Sequence, residues 1–186
     1  MLFIVFNFTC CQEKKLPYLG NTKEQGGATV CPTIDSFCMR GQDSAEITLT
    51  SLNNKIHVTS FIFLSCPTIC SQMNAHMRQV EEKTKNMEDV LLLSYTIDPK
   101  GDTIPALKAY ADKIGAKDNK WHFMHGNQKE VIRLAEKSYY AIVYTDSSVP
   151  AGFAYSGGFL LADKNTHIRG VYNGTTDKEI KNFWKI

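Results

Sequence analysis

The stretch that decides the fold is residues 56–70, which read IHVTSFIFLSCPTIC. Its first part, residues 56–64, is rich in β-branched and aromatic residues, a composition typical of a central strand buried on both faces. Cys66 and Cys70 follow, and helical spacing begins at Cys70 and continues over residues 70–85. A buried strand that turns directly into a helix predicts an α/β fold with both thiols at the turn.

Strand-like and helix-like segments alternate on either side of this turn. The pattern predicts strands over residues 45–50, 90–97 and 138–144, helices over 103–114 and 129–137, a hairpin of strands 158–162 and 168–172, and a last helix over 176–185. Pro105 lies in the first turn of its helix, where its missing N–H costs little, and Thr176 can cap the last helix. This order predicts an α/β fold with the long strands at its centre.

The composition is that of one soluble domain. The chain has 186 residues, of which 43% are hydrophobic and 22% charged. Lys and Arg number 21 and Asp and Glu 19, a net charge of +2 without a concentrated basic stripe, so the sequence predicts no nucleic-acid partner. The longest apolar runs, such as residues 61–64 and 90–93, are too short to cross a bilayer.

The N-terminus has the pattern of a leader. Residues 1–8 read MLFIVFNF, and this apolar run ends at Thr9, Cys10 and Cys11 before a polar stretch. A small residue followed by cysteine resembles a bacterial lipoprotein cleavage site, with Cys10 or Cys11 as the point of lipid attachment. No basic residues precede the run, so we expect the leader to begin further upstream. The alternative is a disordered tail with two incidental cysteines.

The leader prediction divides the chain into three parts. It gives a leader over residues 1–11, a linker over 12–29 and one folded domain over 30–186. Glycines and a proline in the linker predict poor packing. The prediction also places the protein outside the cytoplasm, facing the periplasm and lipid-anchored to a bacterial membrane, where disulfides persist.

The chemistry is predicted at Cys66 and Cys70, which lie on either side of residues 67–69. Backbone N–H groups at a helix N-terminus stabilise a thiolate, so we expect a lowered pKa for one or both thiols. Thiolates serve both disulfide exchange and the binding of soft metals. A structural disulfide and a pair of inert thiols are the alternatives, although a loop this short gives a disulfide little stabilising effect.

Residues 61–70, FIFLSCPTIC, resemble the Sco/SenC family of thioredoxin-fold proteins, which deliver copper to cytochrome c oxidase. The likeness continues in residues 94–110, 121–126 and 159–174, and it covers the chain from about Cys31 onwards. The resemblance implies a thioredoxin-like fold, in which helices flank a central mixed sheet and a hairpin and helix end the chain. It also implies copper as the cargo and an oxidase subunit, or another copper or thiol protein, as the partner.

One expected copper ligand is missing. In the family a Cys-x-x-x-Cys pair and a distal His bind copper, and the cysteines carry over to Cys66 and Cys70. The stretch that matches the His begins at Tyr155, so tyrosine occupies the third ligand position. Two thiolates can hold Cu(I) in low coordination, whereas Cu(II) prefers nitrogen and more ligands. The missing His therefore predicts a metallochaperone with a site selective for Cu(I) over Cu(II), or no copper site at all.

Other side chains are weaker candidates for the third ligand. Met73 and Met77 lie on the helical face of Cys70, and a thioether suits Cu(I), but methionines at this spacing more often fill a core. The five histidines are predicted to be surface or structural residues: His57, His76, His122, His125 and His167. Tyr155 itself either contacts the metal or closes the site against water, and the sequence leaves both readings open.

A second function uses the same two thiols without a metal. A thiol–disulfide oxidoreductase would attack partner disulfides with Cys66, the more exposed thiol, and resolve the mixed disulfide with Cys70. An inactive structural relative is a third reading.

Three further polar residues complete the set of candidates. Asp98 ends a strand beside the one leading to Cys66, so it either approaches the thiols or begins a turn with Pro99. Cys31 and Cys38 form a small disulfide only if their Cα atoms come within about 7 Å.

Overall fold

The computed structural model describes residues 16–146 and 153–184. The predicted leader, with Cys10 and Cys11, lies outside these ranges. In chain order the strands are β1 (Lys23–Gln25), β2 (Ala28–Val30), β3 (Cys38–Arg40), β4 (Glu46–Thr48), β5 (Ile56–Ile62), β6 (Val90–Thr96), β7 (Trp121–Met124), β8 (Val143–Thr145), β9 (Phe153–Tyr155), β10 (Gly158–Ala162) and β11 (Ile168–Asn173). The helices are α1 (Cys70–Thr84), α2 (Ile104–Ile114), α3 (Gln128–Lys137) and α4 (Asp177–Phe183).

A five-stranded mixed sheet lies at the centre, in the order β11-β10-β5-β6-β7. Strands β5, β6 and β7 are parallel, and β10 pairs antiparallel with both β5 and β11. Ile62 at the end of β5 lies opposite Thr96 at the end of β6. The carboxyl ends of the central strands therefore meet at one edge, where the loop to α1 begins.

Apolar side chains cover both faces of the sheet. One cluster contains Phe61 and Tyr95 of the sheet together with Leu134 of α3. The opposite cluster packs Leu92 of the sheet against α1, α2 and α4. Strands β5 and β6 are buried along nearly their whole length, as their β-branched and aromatic composition predicts. Both faces of the sheet are thus covered, and the predicted α/β architecture is confirmed. No helix in residues 16–146 and 153–184 is long and apolar enough to cross a membrane.

The predicted strand over 138–144 is wrong. Ser138 ends α3, and the N–H groups of Tyr139 and Ala141 donate to carbonyls of that helix. Tyr140 has a φ of 54°, a left-handed conformation that breaks any extended run. These aromatic residues therefore terminate a helix, and extended pairing begins only at β8. The strand predicted over 45–50 is also shorter, because a 3-10 helix, Leu49–Leu52, follows β4.

The segment expected to pack poorly is partly ordered against the domain. Strands β1 and β2 form a small hairpin. Ahead of it, the Leu19 N–H donates to the Ile168 carbonyl at 2.9 Å. The guanidinium of Arg169 donates to the Leu16 and Pro17 carbonyls and stacks 4.1 Å from the Tyr18 ring. These contacts hold residues 16–19 on β11.

Candidate dithiol and metal site

Cys66 and Cys70 lie at the turn between β5 and α1, as predicted. The chain leaves the sheet at Ile62, and the Cys66 N–H donates to the Phe63 carbonyl at 3.2 Å. Cys70 is the first residue of α1, whose preceding residue, Ile69, provides no side-chain cap. The sequence thus places one thiol in the loop and the other on the first turn of a helix.

A buried carboxylate that was not among the predicted site residues holds this loop. Asp102, which is 2% exposed, accepts the Leu64 N–H at 3.0 and 3.2 Å and the Thr96 hydroxyl at 2.5 Å. Burial raises the pKa of this carboxyl, although the hydrogen bonds from Thr96 and Leu64 oppose the shift. Asp102 lies in residues 94–110, one of the segments that carry the family resemblance, but that resemblance did not indicate a contact with the thiol loop.

The hydroxyl of Tyr155 lies between the two sulfur atoms. Its oxygen is 2.7 Å from Cys70 Sγ and 3.3 Å from Cys66 Sγ. The residue that the resemblance placed at the third ligand position is therefore in contact with both thiols. The fold thus brings Tyr155 to two cysteines that precede it by 89 and 85 residues.

The position of Tyr155 follows from strand pairing and aromatic packing. It is the last residue of β9 and lies opposite Val143 of β8. Its ring meets the ring of Phe63 edge to face, with centroids 5.8 Å apart. The next residue, Ser156, donates its N–H to the Ile142 carbonyl at 3.0 Å. Because backbone and ring are both held, the hydroxyl is directed to the thiols.

The two thiols have opposite electrostatic environments. Partial burial raises the pKa of Cys66, but hydrogen bonds from the Tyr155 hydroxyl, from the Thr68 and Cys70 N–H groups and from the Cys70 thiol outweigh it and lower the pKa to about 7. Cys70 is 6% exposed, and this burial raises its pKa to about 12. Burial, together with the hydrogen bonds to both thiols, also raises the pKa of Tyr155, so its hydroxyl stays protonated. Backbone N–H groups at the start of α1 thus stabilise only the Cys66 thiolate.

The described residues offer a metal only two cysteine ligands at this site. They contain no group of three or more His, Cys, Asp or Glu residues that could hold a metal ion. Four of the five histidines form hydrogen bonds elsewhere: His57 with Tyr139, His76 with Gly174 and Asp177, His125 with Pro99 and His167 with Pro32. Two soft sulfurs without a nitrogen ligand suit Cu(I) better than Cu(II).

Met73 and Met77 are fully buried in the apolar cluster that also contains Cys70. A Cβ added to Gly157 would lie 3.6 Å from the Met73 Sδ atom. The thioethers thus pack inside the core, which fits core filling better than metal binding.

The remaining polar candidates lie outside this group of contacts. Asp98 accepts the Gly101 N–H at 3.2 Å and begins a turn, which agrees with the alternative reading. Cys31 and Cys38 are both free thiols.

The fold and the dithiol turn define a thioredoxin-fold protein. Residues 27–182 match the SCO1/SenC family. The chain is 32% identical over 146 residues to the SCO1 protein homolog of Bacillus subtilis, covering 76% of this chain and 74% of that one. It is 31% identical over 137 residues to an SCO2-like protein of Rickettsia conorii, covering 71% and 65%. The chain therefore belongs to the SCO1/SenC family.

Solved structures agree with this assignment. BsSco, described as having a disulfide switch and as a member of the Sco family of cytochrome c oxidase assembly proteins, superposes with a TM-score of 0.72 at 28% identity, covering 82% of this chain and 90% of that one. A SCO1/SenC family lipoprotein from Bacillus anthracis gives 0.75 at 22% identity, covering 82% and 91%. Copper-bound yeast Sco1 gives 0.67 at 20% identity, covering 83% and 88%. The last two likenesses show the shared thioredoxin-like fold alone.

Proposed function

We propose that this protein is an extracytoplasmic metallochaperone that carries copper as Cu(I) on Cys66 and Cys70 for cytochrome c oxidase maturation. The convergence of both sulfur atoms on the Tyr155 hydroxyl, at 3.3 and 2.7 Å, is the observation that carries the proposal. Two sulfur atoms that share one neighbouring oxygen are close enough together to bind the same ion. Membership of a family linked to oxidase assembly supports an oxidase subunit, or another copper or thiol protein, as the partner.

Copper is the cargo of this protein, and the donor atoms favour its cuprous form. Soft thiolates suit Cu(I), which accepts two ligands. Cu(II) would need nitrogen or further ligands, and none of the described His, Cys, Asp and Glu residues completes such a set. Loading removes the remaining proton from Cys70, whose pKa is about 12, so binding releases protons and strengthens as the pH rises.

An anaerobic titration of the reduced full chain with Cu(I), against a competing chelator, tests this proposal. We expect tight binding of one Cu(I), lost in both Cys66→Ser and Cys70→Ser. Cys31→Ser and Cys38→Ser are matched controls, since each removes a thiol outside the site and should bind as the parent does. Cu(II) bound as tightly as Cu(I), or binding insensitive to Cys66→Ser, would contradict the proposal.

The proposed location rests on the sequence pattern at Thr9, Cys10 and Cys11. Lipid attachment would occur at Cys10 or Cys11. Growth of expressing bacteria with a labelled fatty acid should label the protein, and the double variant Cys10→Ser/Cys11→Ser should remain unlabelled. Label in that double variant would exclude these two attachment sites.

The asymmetry of the thiols favours a second function, thiol–disulfide exchange. Cys66 is the more exposed thiol, and its pKa of about 7 makes it a nucleophile at neutral pH. Cys70 lies close enough to resolve a mixed disulfide. Reduction of a small peptide disulfide by the reduced chain should stop in Cys66→Ser and should stall as a mixed disulfide in Cys70→Ser. Activity without copper binding would make this the principal function.

A further inference from the structure

The hydroxyl of Tyr155 is shared by two sulfur atoms. It lies 2.7 Å from Cys70 Sγ and 3.3 Å from Cys66 Sγ. A phenol has one O–H to donate and an oxygen that can accept. It can therefore donate to one sulfur while the thiol of the other cysteine donates its S–H to the oxygen.

This pair of hydrogen bonds depends on the reduced state. When the S–S bond between Cys66 and Cys70 forms, two electrons pass to the oxidant and the protons on sulfur leave. No S–H remains to donate, and the uncharged disulfide sulfurs are weak acceptors compared with a thiolate. Oxidation thus removes one hydrogen bond of Tyr155 and weakens the other.

The backbone and ring of Tyr155 are held in place, which keeps the hydroxyl beside the two sulfur atoms. Tyr155 is half-buried and packs against both core clusters. Its ring edge meets Phe63 at a centroid distance of 5.8 Å, and its strand is paired with β8. A polar group held in such a place without a partner costs free energy. That cost falls on the oxidised protein.

We infer that Tyr155 is a positioning residue that stabilises the reduced dithiol relative to its disulfide and so raises the reduction potential of the Cys66–Cys70 pair. Stabilisation of the reduced form is a known route to a higher potential in thioredoxin-fold dithiols. The inference rests on the proposed function, because metal binding and disulfide exchange both need the thiols reduced. Tyr155 thereby keeps the pair ready for use in an oxidising compartment.

Redox equilibration of the full chain tests the inference. The protein is equilibrated without copper in dithiothreitol buffers of graded ratio and trapped by alkylation, and the peptide carrying Cys66 and Cys70 is weighed by mass spectrometry. We expect Tyr155→Phe to shift the equilibrium about tenfold toward the disulfide, which lowers a two-electron potential by about 30 mV. No shift, or a shift toward the dithiol, would overturn the inference.

A matched variant controls for loss of any tyrosine hydroxyl. Tyr144 lies on β8, beside the strand of Tyr155, and is 48% exposed. Tyr144→Phe should leave the equilibrium unchanged, and a shift as large as that of Tyr155→Phe would refute a specific role.

Unfolding measurements keep the inference testable if Tyr155→Phe is unstable. Denaturant unfolding is compared for the reduced and the oxidised forms of the parent and of Tyr155→Phe. The substitution should lower the free energy of unfolding of the reduced form more than that of the oxidised form. Equal losses in both forms would show only a packing role and overturn the inference.

The result of the redox equilibration can be told apart from the result of the Cu(I) titration. A parent chain that fails to bind Cu(I) but shows the shift retains the inference and loses the chaperone proposal. A chain that binds Cu(I) without the shift retains the chaperone proposal alone.

Discussion

The carboxylate of Asp102 accepts the backbone N–H of Leu64 with both of its oxygens, at 3.0 and 3.2 Å. Leu64 lies two residues before Cys66, and Asp102 lies just before α2, so the contact ties the thiol loop to the neighbouring crossover. The bond is partly buried, and a backbone N–H left without a partner away from water costs about 1–3 kcal/mol. The shape of the thiol loop therefore depends on a residue that does not reach the sulfurs.

We predict that Asp102→Ala lowers the free energy of unfolding by about 2 kcal/mol and weakens Cu(I) binding, because the Leu64 N–H loses its acceptor. Asp102→Asn should recover part of the loss, since an amide oxygen can still accept that N–H. Urea unfolding and the Cu(I) competition titration measure the two effects. Asp98→Ala is the control, because the Asp98 carboxylate accepts the Gly101 N–H of its own turn and does not bond to Leu64; equal losses in the two alanine variants would refute the anchoring role.

Cys66 should react with iodoacetamide at a rate that rises with pH and is half-maximal near pH 7, because its pKa is lowered to about 7 and only the thiolate attacks. Cys70 should remain unmodified, since its pKa is about 12 and it is buried. Peptide-resolved mass spectrometry follows each thiol in the native protein. Cys38 is an exposed internal reference, because slight desolvation and the nearby Glu46 carboxylate raise its pKa above the ordinary value for a thiol; a Cys66 midpoint at or above that of Cys38 would contradict the prediction.

Local sequence patterns were enough to predict most of the fold. Strand β5 is a run of β-branched and aromatic residues, and α2 begins after Thr103, whose hydroxyl accepts the Ala106 N–H. Such signals lie within a few residues of the element that they define. The strand predicted over residues 138–144 was wrong because Tyr139 is buried by tertiary packing just after a helix ends. The aromatic and β-branched residues of this segment do not distinguish that arrangement from a strand.

The site was predicted only in part. The two cysteines are four residues apart, so a local pattern predicted them. The contact of Tyr155 with Cys66 spans 89 residues, and the contact of Asp102 with Leu64 spans 38. Contacts of that range depend on strand order and register, which one sequence does not contain explicitly. The resemblance marked the position of Tyr155, but its hydrogen bonds with both thiols required the structure.

Gly157→Ala should destabilise the protein by about 2 kcal/mol more than Gly26→Ala. Gly157 has a φ of +61°, and an added Cβ would lie 2.9 Å from Ile69 Cδ1 and 3.1 Å from Thr175 Cγ2. Gly26 has a φ of +60° with nothing within 4 Å, so both variants share the left-handed strain of about 1–2 kcal/mol and only one adds a clash. Urea unfolding of both variants gives the difference, and equal losses would show that the space beside Ile69 adapts.

His57 should make the protein less stable in mild acid. Burial lowers its pKa from 6.5 to about 4, although its hydrogen bond to Lys55 and the charge of Asp163 oppose the shift. Because the pKa is lower in the folded state than in the unfolded state, the contribution of neutral His57 to the free energy of unfolding is complete above pH 6.5. It is lost as the pH falls to about 4. One pKa unit corresponds to about 1.4 kcal/mol, so the loss is about 3 kcal/mol.

The pH dependence of unfolding in His57→Phe isolates this effect from that of the carboxylates. Phenylalanine keeps a ring against Tyr139, which lies 6.2 Å from His57 between ring centroids, and it cannot be protonated. Between pH 7 and pH 4 the parent should lose about 3 kcal/mol more of its free energy of unfolding than His57→Phe loses. Parallel curves for the parent and His57→Phe would contradict the prediction. They would mean that His57 is protonated as readily in the folded protein as in the unfolded chain, whereas burial should disfavour the charged imidazolium.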